Sequence, residues 1–110
     1  MAVILNPWIL LVIAIGLEVV GTTLLKLSDG FVRWHWGVMA IALYAACFWV
    51  FANTLKAIPV GIAYAIWAGV GIVAITAVGF LAFGERLSGP QLIFMVLVVI
   101  GAAGLRLTTP

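Results

Sequence analysis

Residues 7–26 read PWILLVIAIGLEVVGTTLLK, and this stretch decides the fold. It is apolar almost throughout, carries one charge in its interior, Glu18, and closes on Lys26. Counted from about Ile4, the run reaches Leu25 before the first basic side chain. A helix rises about 1.5 Å per residue, so roughly 20 residues cross a hydrocarbon core of about 30 Å. The stretch is therefore expected to span a membrane as a helix.

The same pattern recurs outward from it. Charges and turn residues divide the chain into spans expected over about 4–25, 34–55, 59–83 and 91–105. Asn6-Pro7 opens the first and Lys26 closes it, while Lys56 ends the second and Pro59 stands at the start of the third. Gly84-Glu85-Arg86 and Ser88-Gly89-Pro90 read as a loop. The fourth span is the shortest and relies on Arg106 to snorkel at its end. Barrel strands are shorter and alternate polar with apolar residues, so the spans are helices. Their connections are short, which makes consecutive helices antiparallel neighbours with both termini on one side. The expected fold class is an all-α membrane protein, with a single four-helix transmembrane domain over residues 1–110.

Composition agrees. The chain has 110 residues, 67% hydrophobic and 7% charged, whereas a soluble domain carries about a quarter charged residues. Lipid is thus the solvent for most of its surface. The formal charge is +2 and the basic residues are scattered, which gives no footprint for nucleic acid. Cys47 is the lone cysteine; it cannot form an intrachain disulfide, has no metal-ligand companions, and reads as a small packing residue. No positive region precedes the first apolar run, which also holds a glutamate. The run is therefore expected to remain as a helix rather than to be a cleaved signal. No nucleophile–base pair, metal cluster or phosphate-cradling loop is present, so catalytic residues, metal and cofactor are all expected to be absent, and the chain is not read as an enzyme. Glu85 beside Arg86 reads as a solvated loop pair.

Loop charge sets orientation in many membrane proteins. Here Lys56 and Arg106 lie on the termini side, and Lys26, Arg33 and Arg86 on the other. This near balance permits insertion both ways, from which one gene product can build an antiparallel homodimer; a single orientation chosen by the cell stays open. A monomer of this size has little interior for a carboxylate and a ligand together. Small residues promote close helix contact in lipid, and Gly101 and Gly104, with Ala102 and Ala103, give the fourth span such a face. Gly69, Gly71 and Gly79 allow close approach or bending in the third.

Glu18 carries the chemistry. An ionised side chain at that depth costs at least roughly 2.5–3.5 kcal/mol, and no Lys or Arg lies inside the spans to neutralise it. It must hold a proton, face a wet cavity, or bind a cation from outside. Two copies meeting in a dimer would titrate as a coupled pair. A carboxylate that holds either a proton or an organic cation, but not both, makes proton entry drive cation exit. The plainer alternative is a protonated Glu18 that only pairs helices. Aromatic residues favour the cation reading, because ring faces attract desolvated cations. Tyr64 and Trp67 share one face of the third helix, and Tyr44 and Phe48 one face of the second. Trp8, Trp34 and Trp36 fit an interfacial belt instead, with His35 among them.

The stretches Asn6-Pro7-Trp8, Gly16-Leu17-Glu18-Val19-Val20-Gly21-Thr22-Thr23-Leu24-Leu25-Lys26, Gly30-Phe31 and IPVGIAYAIWAGVG over 58–71 are distinctive together. On them the chain resembles the small multidrug resistance family of bacterial exporters, over nearly its whole length. The resemblance implies an antiparallel homodimer in the bacterial inner membrane. Its two subunits would exchange conformations to alternate between inward- and outward-open states. It assigns Glu18 as the shared site for protons and substrate, Tyr64 and Trp67 as pocket aromatics, and Gly69 to Gly71 as a kink that switches. Tyr44 completes the expected proton- and substrate-binding set, with Ala14, Thr22, Phe48 and Cys47 lining the pocket and Gly101 and Gly104 at the dimer contact. Gly21, Thr22 and Tyr44 look like the branch that exports lipophilic and quaternary ammonium cations. The guanidinium-exporting branch typically has tryptophan at Gly21 and serine at Cys47. Phe94 stands where the multidrug branch has a glycine, and Arg106 is similar to a basic residue common in the guanidinium branch, so a guanidinium exporter is the alternative. Outside the family, a helix-pairing membrane subunit and a passive cation pore remain as other classes.

Overall fold

The computed structural model describes residues 6–110; the expected start of the first span at Ile4 lies outside the described residues. Among these residues the chain forms four α-helices: α1 (Pro7–Leu27), α2 (Trp34–Thr54), α3 (Val60–Phe83) and α4 (Gly89–Leu107). They hold 21, 21, 24 and 19 residues and are long and apolar enough to cross a membrane. The chain divides into two compact units that part between Pro59 and Val60, an α1–α2 hairpin and an α3–α4 hairpin.

In the first hairpin, Asn6 caps α1 by accepting the Trp8 amide at 2.8 Å, and Pro7 occupies the first turn, where a missing N–H costs nothing. The turn that follows α1 is tight. Asp29, Gly30 and Phe31 all take positive φ, at 51°, 65° and 69°. That conformation is unusual for a residue as bulky as phenylalanine. Local contacts hold it: Ser28 Oγ accepts the Phe31 amide at 3.2 Å, and the Phe31 ring lies where a side chain on Gly37 would be. The buried apolar side chains of this unit include Leu10, Leu11, Ala14, Ile15, Ala40, Cys47 and Val50. Thr54, also buried, satisfies its hydroxyl on Val50 O at 3.2 Å.

The second hairpin is held differently. A side chain on Gly69 would strike the Ala102 methyl, so backbone and methyl meet directly where α3 and α4 approach. At the end of α3, Gly84 takes φ 66°, and the Glu85 amide turns back to Gly79 O at 3.0 Å. The start of α4 differs from expectation. Ser88-Gly89-Pro90 reads as loop, yet the helix begins at Gly89. The reason is a capping box: Ser88 Oγ accepts the Gln91 amide at 3.3 Å, and Gln91 Oε1 accepts the Ser88 amide at 2.9 Å. Pro90 in the first turn is compatible with that cap. Most of α4 is outward-facing, with Ile93, Phe94 and Ile100 each more than 60% exposed. In water such a face is a liability; in hydrocarbon it is the ordinary surface of a spanning helix.

Candidate functional site

Glu18 lies half-buried near the middle of α1. One helical turn later on the same face stands Thr22, whose hydroxyl donates to Glu18 Oε1 at 2.9 Å. The Thr22 oxygen is also 2.7 Å from the Tyr44 hydroxyl on α2. A threonine has one hydroxyl proton. When that proton goes to the carboxylate, the Tyr44 hydroxyl must donate to Thr22. The three side chains thus form one directed chain, Tyr44 to Thr22 to Glu18, that crosses from α2 to α1. Hydrogen bonds to a charged group are about twice as strong as neutral ones, and this one lessens the cost of an ionised carboxylate in a low-dielectric setting.

Two small residues let the chain close. A Cβ on Gly21 would stand 3.0 Å from Tyr44 Cε1, 3.2 Å from Cδ1 and 3.5 Å from Ala40 O. The absence of a side chain at Gly21 admits the tyrosine ring, and the buried Ala40, one turn before Tyr44, keeps the helices close. Ala14 and Cys47, expected to line the pocket, are wholly buried, while Phe48 is 60% exposed.

Tyr64 and Trp67 lie in the other unit, on α3. Their ring centroids are 6.3 Å apart at 45°, as their spacing of three requires. Tyr64 is exposed and Trp67 half-buried, so this pair presents aromatic surface rather than core. Gly69 and Gly71 are buried within an unbroken α3, and Gly69 serves there as the close contact to Ala102. Gly101 and Gly104 are exposed, with open space where a side chain would stand. His35 stands edge-on to Trp34, centroids 6.2 Å apart, and 5.2 Å from Trp36. This aromatic cluster sits in the first turn of α2.

A groove of about 790 Å³ in the α3–α4 unit is lined by Ile72, Thr76, Phe80, Met95 and Val99 among others, with Glu85 and Arg86 at its polar end. It is spacious and mostly apolar. Arg86 already places a guanidinium 5.8 Å from the Phe80 ring, and the Thr76 hydroxyl donates to Met95 Sδ at 3.6 Å. The carboxylate within a spanning helix is Glu18, in the other hairpin. The sequence reading names Glu18, Thr22 and Tyr44 but not their join or Gly21 as the seat of the Tyr44 ring; within the other unit it does not pair Gly69 with Ala102. Spacing of four between Glu18 and Thr22 is the one signal that points to part of it.

A sequence model of the family described as Small Multidrug Resistance protein matches residues 6–98. The chain is 52% identical over 97 residues, 88% of each protein, to the multidrug transporter EmrE of Escherichia coli (strain K12). It is 44% identical over 103 residues, 94% of each protein, to the quaternary ammonium compound-resistance protein QacF of Klebsiella aerogenes. It is 35% identical over 101 residues, 92% of this chain and 94% of the relative, to the corresponding protein QacC of Staphylococcus aureus. With four membrane-spanning helices and likeness over nearly its full length, the chain belongs to the small multidrug resistance family and is a multi-pass protein of the bacterial inner membrane.

Proposed function

We propose that this protein is a secondary active transporter, a proton-coupled antiporter that exports hydrophobic and quaternary ammonium cations across the inner membrane by alternating access. The observation that carries the reading is Glu18: a carboxylate near the middle of a spanning helix, hydrogen-bonded by Thr22 and through it to Tyr44. Such a group can hold a proton or a cation, and intramembrane acids mark ion and substrate pathways. Tyr64 and Trp67 offer ring faces suited to a desolvated cation. The working unit is one four-helix domain paired with a second copy in antiparallel orientation. The near-balanced loop charges, the open faces of Gly101 and Gly104 and the exposed apolar surface of α4 support that pairing. In it two Glu18 carboxyls share one site, and Gly69 to Gly71 lie where α3 would bend.

Relatives named for multidrug transport and quaternary ammonium resistance favour this substrate class. Guanidinium export is disfavoured by the seat of the Tyr44 ring on Gly21, since the tryptophan that the resemblance associates with guanidinium export would collide with it.

The test is a titration of detergent-solubilised wild type and Glu18→Gln with a quaternary ammonium cation in weak buffer, recording pH. Wild type is expected to acidify the solution as cation displaces protons, and the folded variant to release none and to transport nothing. A folded wild type that binds the cation without proton release defeats the coupling, and transport by Glu18→Gln defeats the shared site. Conduction independent of a proton gradient would point to a pore.

A further inference from the structure

The hydroxyl bridge between Glu18 and Tyr44 has a consequence that neither end has alone, and it rests on the reading of Glu18 as the site shared by proton and cation. Thr22 Oγ1 lies within hydrogen-bond distance of both Glu18 Oε1, at 2.9 Å, and Tyr44 OH, at 2.7 Å. Each hydroxyl has a single proton, so the chain can run in either of two polarities. With Glu18 ionised, Thr22 donates to the carboxylate and Tyr44 donates to Thr22, which leaves the outer lone pairs of Tyr44 uncovered by its own proton. With Glu18 protonated at Oε1, the new carboxyl O–H donates to Thr22. The Thr22 proton then turns to the Tyr44 oxygen, and the Tyr44 O–H turns to point away from Thr22. No covalent bond of Thr22 or Tyr44 breaks; the one bond formed is O–H on Glu18, as hydronium gives up a proton and is left as water, and the two hydroxyls only rotate.

We infer that Thr22 is a positioning residue that transmits the charge state of Glu18 to the hydroxyl of Tyr44, so that the aromatic surface of the site favours a cation only while the carboxylate is ionised. Tyr44 is half-buried, and its ring occupies the space where a side chain on Gly21 would stand. Reversal of the hydroxyl is rotation about its own C–O bond and needs no movement of the ring. The titratable groups of α2 are His35, Tyr44 and Cys47. Of these Tyr44 joins the chain and Cys47 is buried without a place in it, while His35 lies in the first turn of the helix. On α1 the remaining charged residue is Lys26, in the last turn. Exclusion of cation by proton then acts at two places, the carboxyl and the phenol, with one hydroxyl between them.

The experiment uses the full chain in detergent and benzyltributylammonium as the probe. It measures cation affinity against pH in wild type, Thr22→Val, Thr22→Ser and Tyr44→Phe. The ¹³Cζ shift of labelled tyrosine is followed over the same pH range, with Tyr44 assigned by its loss in Tyr44→Phe. In wild type the Tyr44 signal is expected to move with the same midpoint as cation affinity. In Thr22→Val the Tyr44 signal becomes flat, and the pH of half-maximal cation binding rises by about one unit, tenfold in proton competition, as loss of a hydrogen bond to a charged group implies. Thr22→Ser, which keeps the hydroxyl, restores both. Tyr44→Phe moves the midpoint in the same direction by less, and serves if Thr22→Val fails to fold. A Tyr44 signal that titrates equally in wild type and Thr22→Val overturns the inference while leaving Glu18 as the shared site. So does an unmoved midpoint in Tyr44→Phe. Cation binding that ignores pH in wild type overturns the reading of Glu18 itself, and the inference with it.

Discussion

The α1–α2 and α3–α4 hairpins are built from helices of similar length and apolar character, but small residues act differently in the two. In the first, the missing side chain of Gly21 admits the end of a flexible tyrosine, and the contact it permits is polar: the Tyr44 hydroxyl reaches Thr22 and Glu18. In the second, the missing side chain of Gly69 admits a methyl group, Ala102, and a backbone carbonyl, Val98 O, 3.5 Å from where its Cβ would be. One contact is chemistry that a ring could vacate. The other is a meeting of two helices in which nothing can move except the helices. The glycine itself says little about its role. What faces it decides.

The largest effect expected from this contrast is in the second hairpin. Gly69→Ala places a Cβ against Ala102, which has no rotamer to escape into, so α3 and α4 must separate. Overpacking of this kind costs about 1–3 kcal/mol, which exceeds the gain of about 1 kcal/mol in helix propensity from replacing glycine. Thermal unfolding in detergent should show the loss, and Gly69→Ala with Ala102→Gly should recover most of it, since the pair exchanges one methyl. A single variant that melts like wild type would mean that this crossing does not set the helix separation.

Gly21→Ala sharpens the comparison from the other side. Its Cβ would approach Tyr44 Cε1 at 3.0 Å, and the ring can give way by swinging outward. The fold should therefore melt close to wild type. The bond from Tyr44 to Thr22 should be lost, at a cost of about 1 kcal/mol, read as roughly fivefold weaker binding of a quaternary ammonium cation at neutral pH. If Gly21→Ala instead loses stability as Gly69→Ala does while binding cation normally, the two glycines are equivalent and the distinction drawn between the hairpins fails.

The four helices, and the placing of Glu18 inside one of them, were legible in the sequence for a single reason. Hydrocarbon admits few structures and few charges, so run length and a lone interior acid carry their meaning locally. The pairing of Tyr64 with Trp67 is legible too, because spacing along one helix fixes it. Contacts between helices are not. Thr22 meets Tyr44 across 22 positions, and Gly69 meets Ala102 rather than the adjacent Gly101, because each depends on the register of one helix against another, which no local pattern encodes. The start of α4 failed for a different reason. Ser88-Gly89-Pro90 carries turn residues, but Gln91 three positions after Ser88 completes a capping box, and a proline in the first turn is compatible with a helix start. The cap signal lies in the sequence beside a glycine next to proline, whose commoner meaning is a loop.

That cap yields the smallest effect, and it tests whether the second hairpin is held by packing alone. Ser88→Ala removes the oxygen that accepts the Gln91 amide, and loss of such a cap costs about 1 kcal/mol. The cost should stay local. Backbone amides in the first turn of α4 should exchange faster with solvent, while those near Gly69 and Ala102 keep their protection and cation affinity is unchanged. Ser88→Gly discriminates the cause, because glycine at a cap position costs only a few tenths of a kcal/mol, although it removes the same hydroxyl and more side chain. Faster exchange in Ser88→Ala than in Ser88→Gly assigns the effect to the cap. The reverse order assigns it to lost contacts, and the first turn of α4 would then belong to the packed hairpin rather than to its polar end.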